Sequence, residues 1–347
     1  MERDDHRERA TVAGRVVGPG RGAWFRVAPE PAGETLLVHG VCPGERVLVA
    51  PRPADPGFAD PVRVLERSPA RREPPCRHAT RCGGCHWLHL DDRAQRALRR
   101  DRVDEALAAA GLDPAAIPRR TAIGAGADLG YRWRARFQTD TAARPPRIGF
   151  HRPGSWRVLD IDDCPLLAAP LARVYGELRR ALSGAPIDGL TGFELTSLPG
   201  APGALCFLNP RDRAPDGWPA CGERLLARLG DVLAGVAVRP ARGIARDLLG
   251  EPAIFGRLGS KAPVAAAARG FVQAHLAAAD RLADAVAARA TAGLANPRVL
   301  ELFAGTGLLG WRIAAAGADV LAIERDALSV AAGRRLPAPP RGRLAWA

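Results

Sequence analysis

Three cysteines lie close together in the first third of the chain. Cys76, Cys82 and Cys85 are separated by five and then two intervening residues, with a glycine pair between the last two. Thiolates at this spacing can converge on one metal centre, which then needs a fourth ligand. Cys164 is the best candidate for it, because the proline that follows fixes the turn presenting the thiolate. Four thiolates suit either a tetrahedral zinc ion or an iron–sulfur cluster.

The residues around these cysteines have simpler interpretations. His78, His86 and His89 lie near the cysteines and are potential ligands. We expect them instead to be ordinary surface or hydrogen-bonded histidines. Trp87 can stack on an unpaired base, but we expect it to pack against the cysteine loop.

A glycine-rich turn between a strand and a helix is the second candidate site. Gly305 and Gly307 follow an apolar run that begins at Val299. Glycines in such a turn let backbone amides approach a ligand closely at a helix N-terminus. A second strand ends in Glu324, nineteen residues after Gly305, where a carboxylate can accept the hydroxyls of a ribose. The pattern favours S-adenosylmethionine, with NAD as the alternative because Gly310 extends the glycine spacing.

The composition describes a folded chain with excess positive charge. Of 347 residues, 47% are hydrophobic and 25% are charged, which argues against wholesale disorder. Arginine and lysine number 50 against 37 acidic residues, giving a formal net charge of +13 that favours nucleic acid as a partner. No run reaches the roughly 20 apolar residues of a membrane span, and the charged N-terminus does not resemble a signal peptide. We expect a cytoplasmic monomer without a membrane partner.

Four segments must position the candidate sites. Residues 11–66 predict five short strands of an OB-like barrel, although an SH3-like barrel fits nearly as well. Residues 67–100 carry nine arginines against three acids and enter a helix capped by Asp91 or Asp92 and ended by Gly111. Residues 131–165 are strand-like and basic. From about residue 271, helices and strands alternate as in a doubly wound α/β domain. The barrel strands are predicted at Val12–Val17, Trp24–Val27, Thr35–Val38, Glu45–Val49 and Val62–Leu65.

Together these motifs resemble the RNA 5-methyluridine (uracil-C5) methyltransferase family, in its 23S-rRNA-type branch with a TRAM domain. The similarity runs from about residue 11 to about residue 330, and it includes Val38–Glu45, Tyr131–Arg136, Gly149–Arg152, Gly250–Pro252 and Phe271–Gln273. The resemblance implies that a 4Fe-4S cluster is ligated by Cys76, Cys82, Cys85 and Cys164. It further implies that S-adenosylmethionine is contacted by Gln273, Phe303 and Glu324, beside Gly305 and Gly307 of the turn.

The resemblance also implies a multidomain α+β fold. Residues 1–68 would form the TRAM or OB-like β-barrel, and residues 69–262 a central α+β domain that holds the iron–sulfur cluster and binds RNA. Residues 263–347 would form part of a Rossmann-like α/β methyltransferase domain that binds S-adenosylmethionine. Such a domain has about seven strands, and this segment has room for two or three.

The implied activity is S-adenosylmethionine-dependent formation of 5-methyluridine in RNA, with rRNA favoured over tRNA. In that chemistry a cysteine thiolate adds to uracil C6, and a base then removes the C5 proton. No cysteine follows Cys221, and neither Cys42, Cys206 nor Cys221 is expected to serve, so we assign no catalytic residue. We expect the family pattern to be truncated near residue 331, by a frameshift or an early stop. The alternative function is that of a catalytically inactive, RNA-binding iron–sulfur protein.

Overall fold

The fold was analysed in a computed structural model, which describes residues 10–118, 124, 126–211, 218–238 and 248–347. The charged N-terminal residues that argue against a signal peptide lie outside this set. Two compact units are distinguished. Residues 10–118 and 150–159 belong to the first, and the other described residues belong to the second. The division into three domains at residues 68 and 262 stays a prediction.

The first unit contains a closed five-stranded barrel. Its strands are β1 (Val12–Pro19), β2 (Trp24–Glu30), β3 (Leu36–His39), β4 (Arg46–Pro51) and β5 (Phe58–Glu66). They are joined in the order β1-β2-β3-β5-β4, and β3 pairs with β5 in parallel while the other pairs are antiparallel. The predicted small barrel is therefore confirmed, and this strand order is that of an OB-type rather than an SH3-like barrel. Its interior is filled by fully buried side chains, among them Phe25, Val27, Val38, Val47 and Val49.

The largest difference in the barrel concerns its last strand. The sequence predicts Val62–Leu65, whereas β5 extends over Phe58–Glu66. Pro61 lies within the strand opposite Val49, where the register shifts between Leu48 and Val49. A proline lacks the backbone N–H that a regular ladder needs, and such an irregularity accommodates it.

A helix follows the cysteine segment, as predicted. Helix α1 spans Asp92–Ala109, and Asp91 caps it by accepting a hydrogen bond from the N–H of Ala94 at 2.7 Å. Leu98 is buried with the barrel core, and the chain leaves the helix at Gly111, which has a φ of +77°. Both predicted ends are confirmed, and Asp91 is the cap.

The second unit is built on a seven-stranded sheet. Its strands are β6 (Arg134–Asp140), β7 (Arg147–His151), β8 (Val158–Asp160), β9 (Leu190–Thr196), β10 (Ala204–Pro210), β11 (Leu233–Val238) and β12 (Leu248–Gly250). They are arranged in the order β12-β11-β10-β9-β6-β7-β8, and the tip between β7 and β8 belongs to the first unit. Two helices accompany this sheet, α2 (Ala169–Gly184) and α3 (Trp218–Leu229). The buried Tyr175 of α2 stacks on Phe137 at 4.2 Å and donates a hydrogen bond to the carbonyl of Ile161 at 2.7 Å.

The C-terminal part of the second unit carries the α/β alternation that the sequence predicts. It comprises β13 (Ala253–Arg257), β14 (Pro263–Ala267), α4 (Leu276–Thr291), β15 (Arg298–Leu302), α5 (Leu308–Ala315), β16 (Asp319–Ile323), α6 (Ala327–Arg334) and β17 (Arg343–Trp346). Strands β15, β16 and β17 form a parallel three-stranded sheet. Within the described residues, no helix combines the length and the apolarity that a membrane crossing requires.

One face of this parallel sheet is covered and the other is not. Val320 of β16 is buried with Ala287 of α4 and Ile313 and Ala314 of α5. The opposite face exposes four large apolar side chains by 38–57%: Leu300, Leu302, Leu321 and Ile323.

Candidate functional site

The glycine turn lies between β15 and the start of α5. Phe303, Gly305 and Gly307 have φ values of +57°, +58° and +84°, which is the left-handed region that favours glycine. A Cβ atom at Gly307 would lie 2.8 Å from the ring of Trp346, so a larger residue does not fit there. Helix α5 begins at Leu308, directly after the turn. The turn thus leads into a helix N-terminus, where free backbone N–H groups favour an anionic or polar ligand.

The carboxylate of Glu324 is held by backbone amides at the end of β16. One oxygen accepts a hydrogen bond from the N–H of Gly305 at 2.8 Å. The other accepts from the N–H groups of Arg325 and Asp326 at 2.7 and 2.8 Å. These hydrogen bonds, with that from Asp326 the strongest, lower the pKa of Glu324 below its usual value. The structure therefore joins two predicted cofactor residues, Gly305 and Glu324.

Further contacts anchor the turn. The hydroxyl of Thr306 donates a hydrogen bond to the carbonyl of Ala265 in β14 at 2.8 Å. Phe303 is 91% exposed beside the turn, and Gln273 is exposed in the segment that follows β14. A ring and an amide that are accessible in this way can contact a ligand, and their contacts with S-adenosylmethionine stay a prediction.

Glu301 lies within β15, just before the turn. A Cβ atom at Gly310 would collide with its carboxylate, so the first turn of α5 passes directly over this side chain. Burial raises the pKa of Glu301 from 4.5 to about 7, because the charged form loses its hydration. The strand therefore contains an acid that titrates near neutral pH, beside the turn.

The cysteine loop Cys76–Cys85 lies in the first unit. The N–H of Gly84 points to the sulfur of Cys82 at 3.4 Å. The N–H of Gly83 donates to the carbonyl of His151 at 2.9 Å, and a Cβ atom at position 83 would lie 2.8 Å from that oxygen. Gly83 is therefore needed for close approach to the segment at His151, whereas a Cβ atom at Gly84 would make only ordinary contacts.

The sulfur atoms have different surroundings. Cys82 is buried, whereas Cys76 and Cys85 are partly exposed. Within the described part of the chain, these three sulfurs do not all lie within 4.8 Å of one another. Cys164 belongs to the second unit, where its carbonyl accepts a hydrogen bond from Leu167 at 3.1 Å. The four-cysteine ligand set stays a prediction.

The structure agrees in part with the roles expected of the residues near the cysteines. His78 is buried. His89 is buried and its Nε2 is hydrogen bonded to the carbonyl of Val41 at 3.0 Å, while burial lowers its pKa. His86 is exposed. Trp87 is partly buried and packs against the barrel core, whereas the sequence predicts contact with the cysteine loop.

A basic cleft of about 490 Å³ adjoins the cysteine loop in the first unit. Cys76 lines it together with four arginines, Arg67, Arg71, Arg72 and Arg77. Arg71 is paired with the buried Glu45 at 2.5 and 2.9 Å, and Arg72 with Asp92 at 2.9 Å. Arg67 is exposed at the rim. Glu73 also lines the cleft, so the positive charge that it offers to a polyanion comes mainly from Arg67 and Arg77.

The remaining cysteines differ in accessibility. Cys42 and Cys206 are buried, and burial raises the pKa of Cys42 to about 12 and that of Cys206 further still. Because the thiolate is the nucleophile, neither is poised for attack. Cys221 is partly exposed on α3, with the guanidinium of Arg224 at 2.9 Å.

Sequence reasoning missed one exposed aromatic residue. Trp156 is 89% exposed at the tip between β7 and β8. The signal was available, because the Pro-Gly pair at 153–154 predicts a turn and Trp156 follows it between Ser155 and Arg157.

Comparison with known sequences gives several relatives that share one name. The chain is 33% identical over 312 residues to the 23S rRNA (uracil(1939)-C(5))-methyltransferase RlmD of Halomonas elongata, covering 86% of this chain and 62% of that protein. It is 39% identical over 184 residues to the enzyme of the same name from Chromohalobacter salexigens, covering 52% and 37%. The chain thus spans less than two thirds of the length of these relatives. No protein-family model matches it.

Comparison with solved structures gives the fold. The tRNA (uracil-54, C5)-methyltransferase of Pyrococcus abyssi, solved in complex with S-adenosyl-L-homocysteine, superposes with a TM-score of 0.67. The match covers 96% of this chain and 79% of that protein at 16% sequence identity. The chain therefore has the mixed α/β fold of that methyltransferase.

Proposed function

We propose that this chain acts in S-adenosylmethionine-dependent methylation of RNA, forming 5-methyluridine, with rRNA as the substrate. The observation that carries the proposal is the hydrogen bond between Gly305 and the Glu324 carboxylate, at a left-handed turn before a helix. The similarity to rRNA uracil-C5 methyltransferases over 86% of the chain supports the reaction and the choice of rRNA.

The glycine turn fits a nucleoside cofactor. Glu324 would accept hydrogen bonds from ribose hydroxyls, and Phe303 and Gln273 would contact the cofactor from the exposed side of the turn. Gly305 and Gly307 give the turn its left-handed backbone, and their own N–H groups donate to Glu324 and to the carbonyl of Ala304. When bound, S-adenosylmethionine supplies an electrophilic methyl group. The chain's own residues hold the cofactor and orient it.

We propose, as the family resemblance implies, that Cys76, Cys82, Cys85 and Cys164 hold a 4Fe-4S cluster. The N–H of Gly84 donates a hydrogen bond to the sulfur of Cys82 and so orients it within the loop. Sulfurs bound to one tetrahedral zinc ion lie about 3.8 Å apart. The choice of a cluster over zinc rests on the family resemblance. Such a cluster would order the loop beside the basic cleft.

The first unit would bind the RNA. Its barrel corresponds in this proposal to a TRAM domain, and OB-type barrels commonly bind oligonucleotides. The arginine-lined cleft beside Cys76 supplies positive charge next to that barrel. The net charge of +13 suits a polyanionic partner. We propose that the protein works as a cytoplasmic monomer.

A second candidate function draws on the burial of Cys42 and Cys206, two of the three cysteines outside the proposed cluster; the third, Cys221, is partly exposed. Methylation at uracil C5 requires a thiolate nucleophile, and burial disfavours the thiolate form of Cys42 and Cys206. A chain that binds RNA and S-adenosylmethionine without transferring the methyl group would fit this observation. It would then be a catalytically inactive, RNA-binding iron–sulfur protein.

Binding and transfer assays on the full chain test these proposals. Purified protein should bind labelled S-adenosylmethionine, and Glu324→Gln should weaken binding about 10- to 100-fold, as expected for loss of hydrogen bonds to a charged group. Glu251→Gln is the matched control, because Glu251 is an exposed carboxylate of the same unit, outside the turn. Absence of binding by the wild type would refute the proposed cofactor site.

The transfer step separates the two functions. Incorporation of labelled methyl groups into uridine of 23S rRNA supports the methyltransferase, and binding without incorporation supports the inactive RNA-binding protein. Anaerobically purified protein should be brown and lose iron in Cys82→Ser. A colourless protein containing zinc would contradict the cluster.

A further inference from the structure

The hairpin tip at residues 152–157 presents the most exposed tryptophan side chain among the described residues. Trp156 is 89% exposed there. The tip is closed by a hydrogen bond from the N–H of Arg152 to the carbonyl of Arg157 at 2.9 Å, and by one from the N–H of Ser155 to the carbonyl of Arg152 at 3.1 Å. An indole is among the largest apolar groups that a protein can bury, and tryptophan is enriched where a partner covers it. A single indole left in water on an ordered turn therefore points to a ligand.

The tip is held from two sides of the first unit. On one side, Gly154 has a φ of +60°, and a Cβ atom there would lie 2.8 Å from the ring of Trp24. The guanidinium of Arg52 lies over the same ring at 5.1 Å. On the other side, the carbonyl of His151 accepts a hydrogen bond from Gly83. The tip is therefore fixed between the barrel and the cysteine loop.

The indole itself has a defined neighbour. The imidazole of His151 contacts the Trp156 ring edge to face, with the ring centroids 5.4 Å apart. This contact limits the rotation of the indole while leaving most of its surface in solvent. A planar group that is ordered before binding loses little conformational entropy when a second ring stacks on it.

The charge beside the indole identifies the class of ligand. Arg157 is exposed directly after Trp156, and Arg152 lies across the turn. An aromatic face with adjacent arginines is the arrangement that binds single-stranded nucleic acid, because bases stack on the ring while the guanidinium attracts the phosphate. Bases within a duplex are already stacked on both faces and are not available in this way.

We propose that Trp156 is a stacking platform for an unpaired base of the RNA substrate, with Arg157 beside a backbone phosphate. This inference rests on the proposed function for the identity of the ligand as RNA. It adds a specific contact in the first unit, apart from the glycine turn and from the cysteine ligands. Since every base has a π face, the platform tolerates any base sequence, and it selects for an unpaired segment.

Binding of the full chain to two RNA probes tests the platform. One probe is a single-stranded oligonucleotide of about 12 nucleotides, and the other is a duplex of the same sequence. Trp156→Ala should weaken single-strand binding about 5- to 150-fold and leave duplex binding unchanged. Trp156→Phe should retain most of the affinity, because it keeps an aromatic face. Leu112→Ala, another exposed apolar side chain of the first unit, is the matched control and should have no effect.

A salt titration tests the phosphate contact. Arg157→Ala should make the plot of log affinity against log salt less steep, by the amount expected for the loss of about one phosphate contact. Equal weakening of single-strand and duplex binding by Trp156→Ala, or no weakening, would overturn the platform while leaving the proposed function intact. Failure of the wild-type chain to bind either probe would instead refute RNA as the ligand and with it the proposed function. Unchanged unfolding midpoints of the variants exclude misfolding as the cause.

Discussion

The barrel of the first unit and the parallel sheet of the second bury their apolar residues differently. The barrel closes on itself, so it has no free edge, and its inward side chains such as Phe25 and Val38 are fully buried. The sheet of β15, β16 and β17 packs one face on α4 and α5, while Leu300 and Leu321 lie exposed on the other. Parallel sheets ordinarily have both faces covered.

The difference assigns stability mainly to the barrel and ligand binding to the end of the parallel sheet. Barrel side chains contribute packing energy, because each is surrounded on all sides. The sheet, in contrast, presents Phe303 and Glu324 at the carboxyl ends of β15 and β16, where ligands of α/β folds bind. The packing of the covered face on α4 and α5 holds the loops that carry Phe303 and Glu324. We therefore expect equivalent substitutions to have large effects in the barrel and small effects on the exposed sheet face.

The largest effect is expected in the barrel core. Phe25→Ala should lower the free energy of unfolding of the first unit by about 3–5 kcal/mol, because it removes a fully buried ring and leaves a cavity. Urea unfolding followed by tryptophan fluorescence measures this change. A loss below about 1 kcal/mol would mean that the barrel is not the main stabilising element of its unit.

A smaller, pH-dependent effect is expected at Glu301 in β15. Its pKa of about 7 in the folded protein lies above the unfolded value of 4.5, so its stabilising contribution is complete below pH 4.5 and is lost as the pH rises to 7. The loss amounts to about 3 kcal/mol at most. Glu301→Gln should remove this dependence in unfolding measurements between pH 4.5 and 7.5. An unchanged profile in the variant would contradict the burial of this acid.

Glu45 in the barrel has a pKa shift opposite in sign to that of Glu301. Although burial disfavours the charge of Glu45, hydrogen bonds from Arg71 and from the N–H of Cys42 lower its pKa below 4.5. Its contribution is therefore present above pH 4.5 and is lost as the pH falls through the folded value. Glu45 and Glu301 should consequently contribute to the pH dependence of stability with opposite signs.

The smallest effect is expected on the uncovered sheet face. Leu321→Thr should change the free energy of unfolding by less than about 0.5 kcal/mol, because the side chain is exposed and threonine suits a strand. The same urea unfolding experiment measures it beside Phe25→Ala. A loss of 2 kcal/mol or more, about the size of a core effect, would show that this face is covered in solution.

Local sequence signals predicted the strands and helices. The features that were not predicted depend on contacts between residues far apart in the sequence. Glycines and prolines between short apolar runs predicted the barrel strands, and Asp91 and Gly111 marked both ends of α1. Strand β5 was longer than predicted because a register shift opposite Pro61 accommodates the proline, and that shift depends on the partner strand. The glycine turn and Glu324 were predicted from their spacing, and the structure joins Gly305 to that carboxylate.

Exposure was harder to predict than secondary structure. Trp87 follows a histidine and Trp156 precedes an arginine, and the sequence alone does not show which of the two is exposed. The structure packs Trp87 on the barrel core and leaves Trp156 in solvent, because Gly154 seats the hairpin tip against Trp24. The contact at Trp24 joins residues more than a hundred positions apart, which no local pattern reports.

Three backbone N–H groups bind the Glu324 carboxylate, and they fix its side chain in the folded protein before any ligand binds. A carboxylate accepts about four hydrogen bonds, so roughly one acceptor position stays open to a ligand hydroxyl. That hydroxyl would bind a carboxylate whose side-chain rotamer is already fixed in the ligand-free protein. The entropic penalty of ordering a glutamate, on the order of 1–2 kcal/mol, therefore falls on folding and not on ligand association.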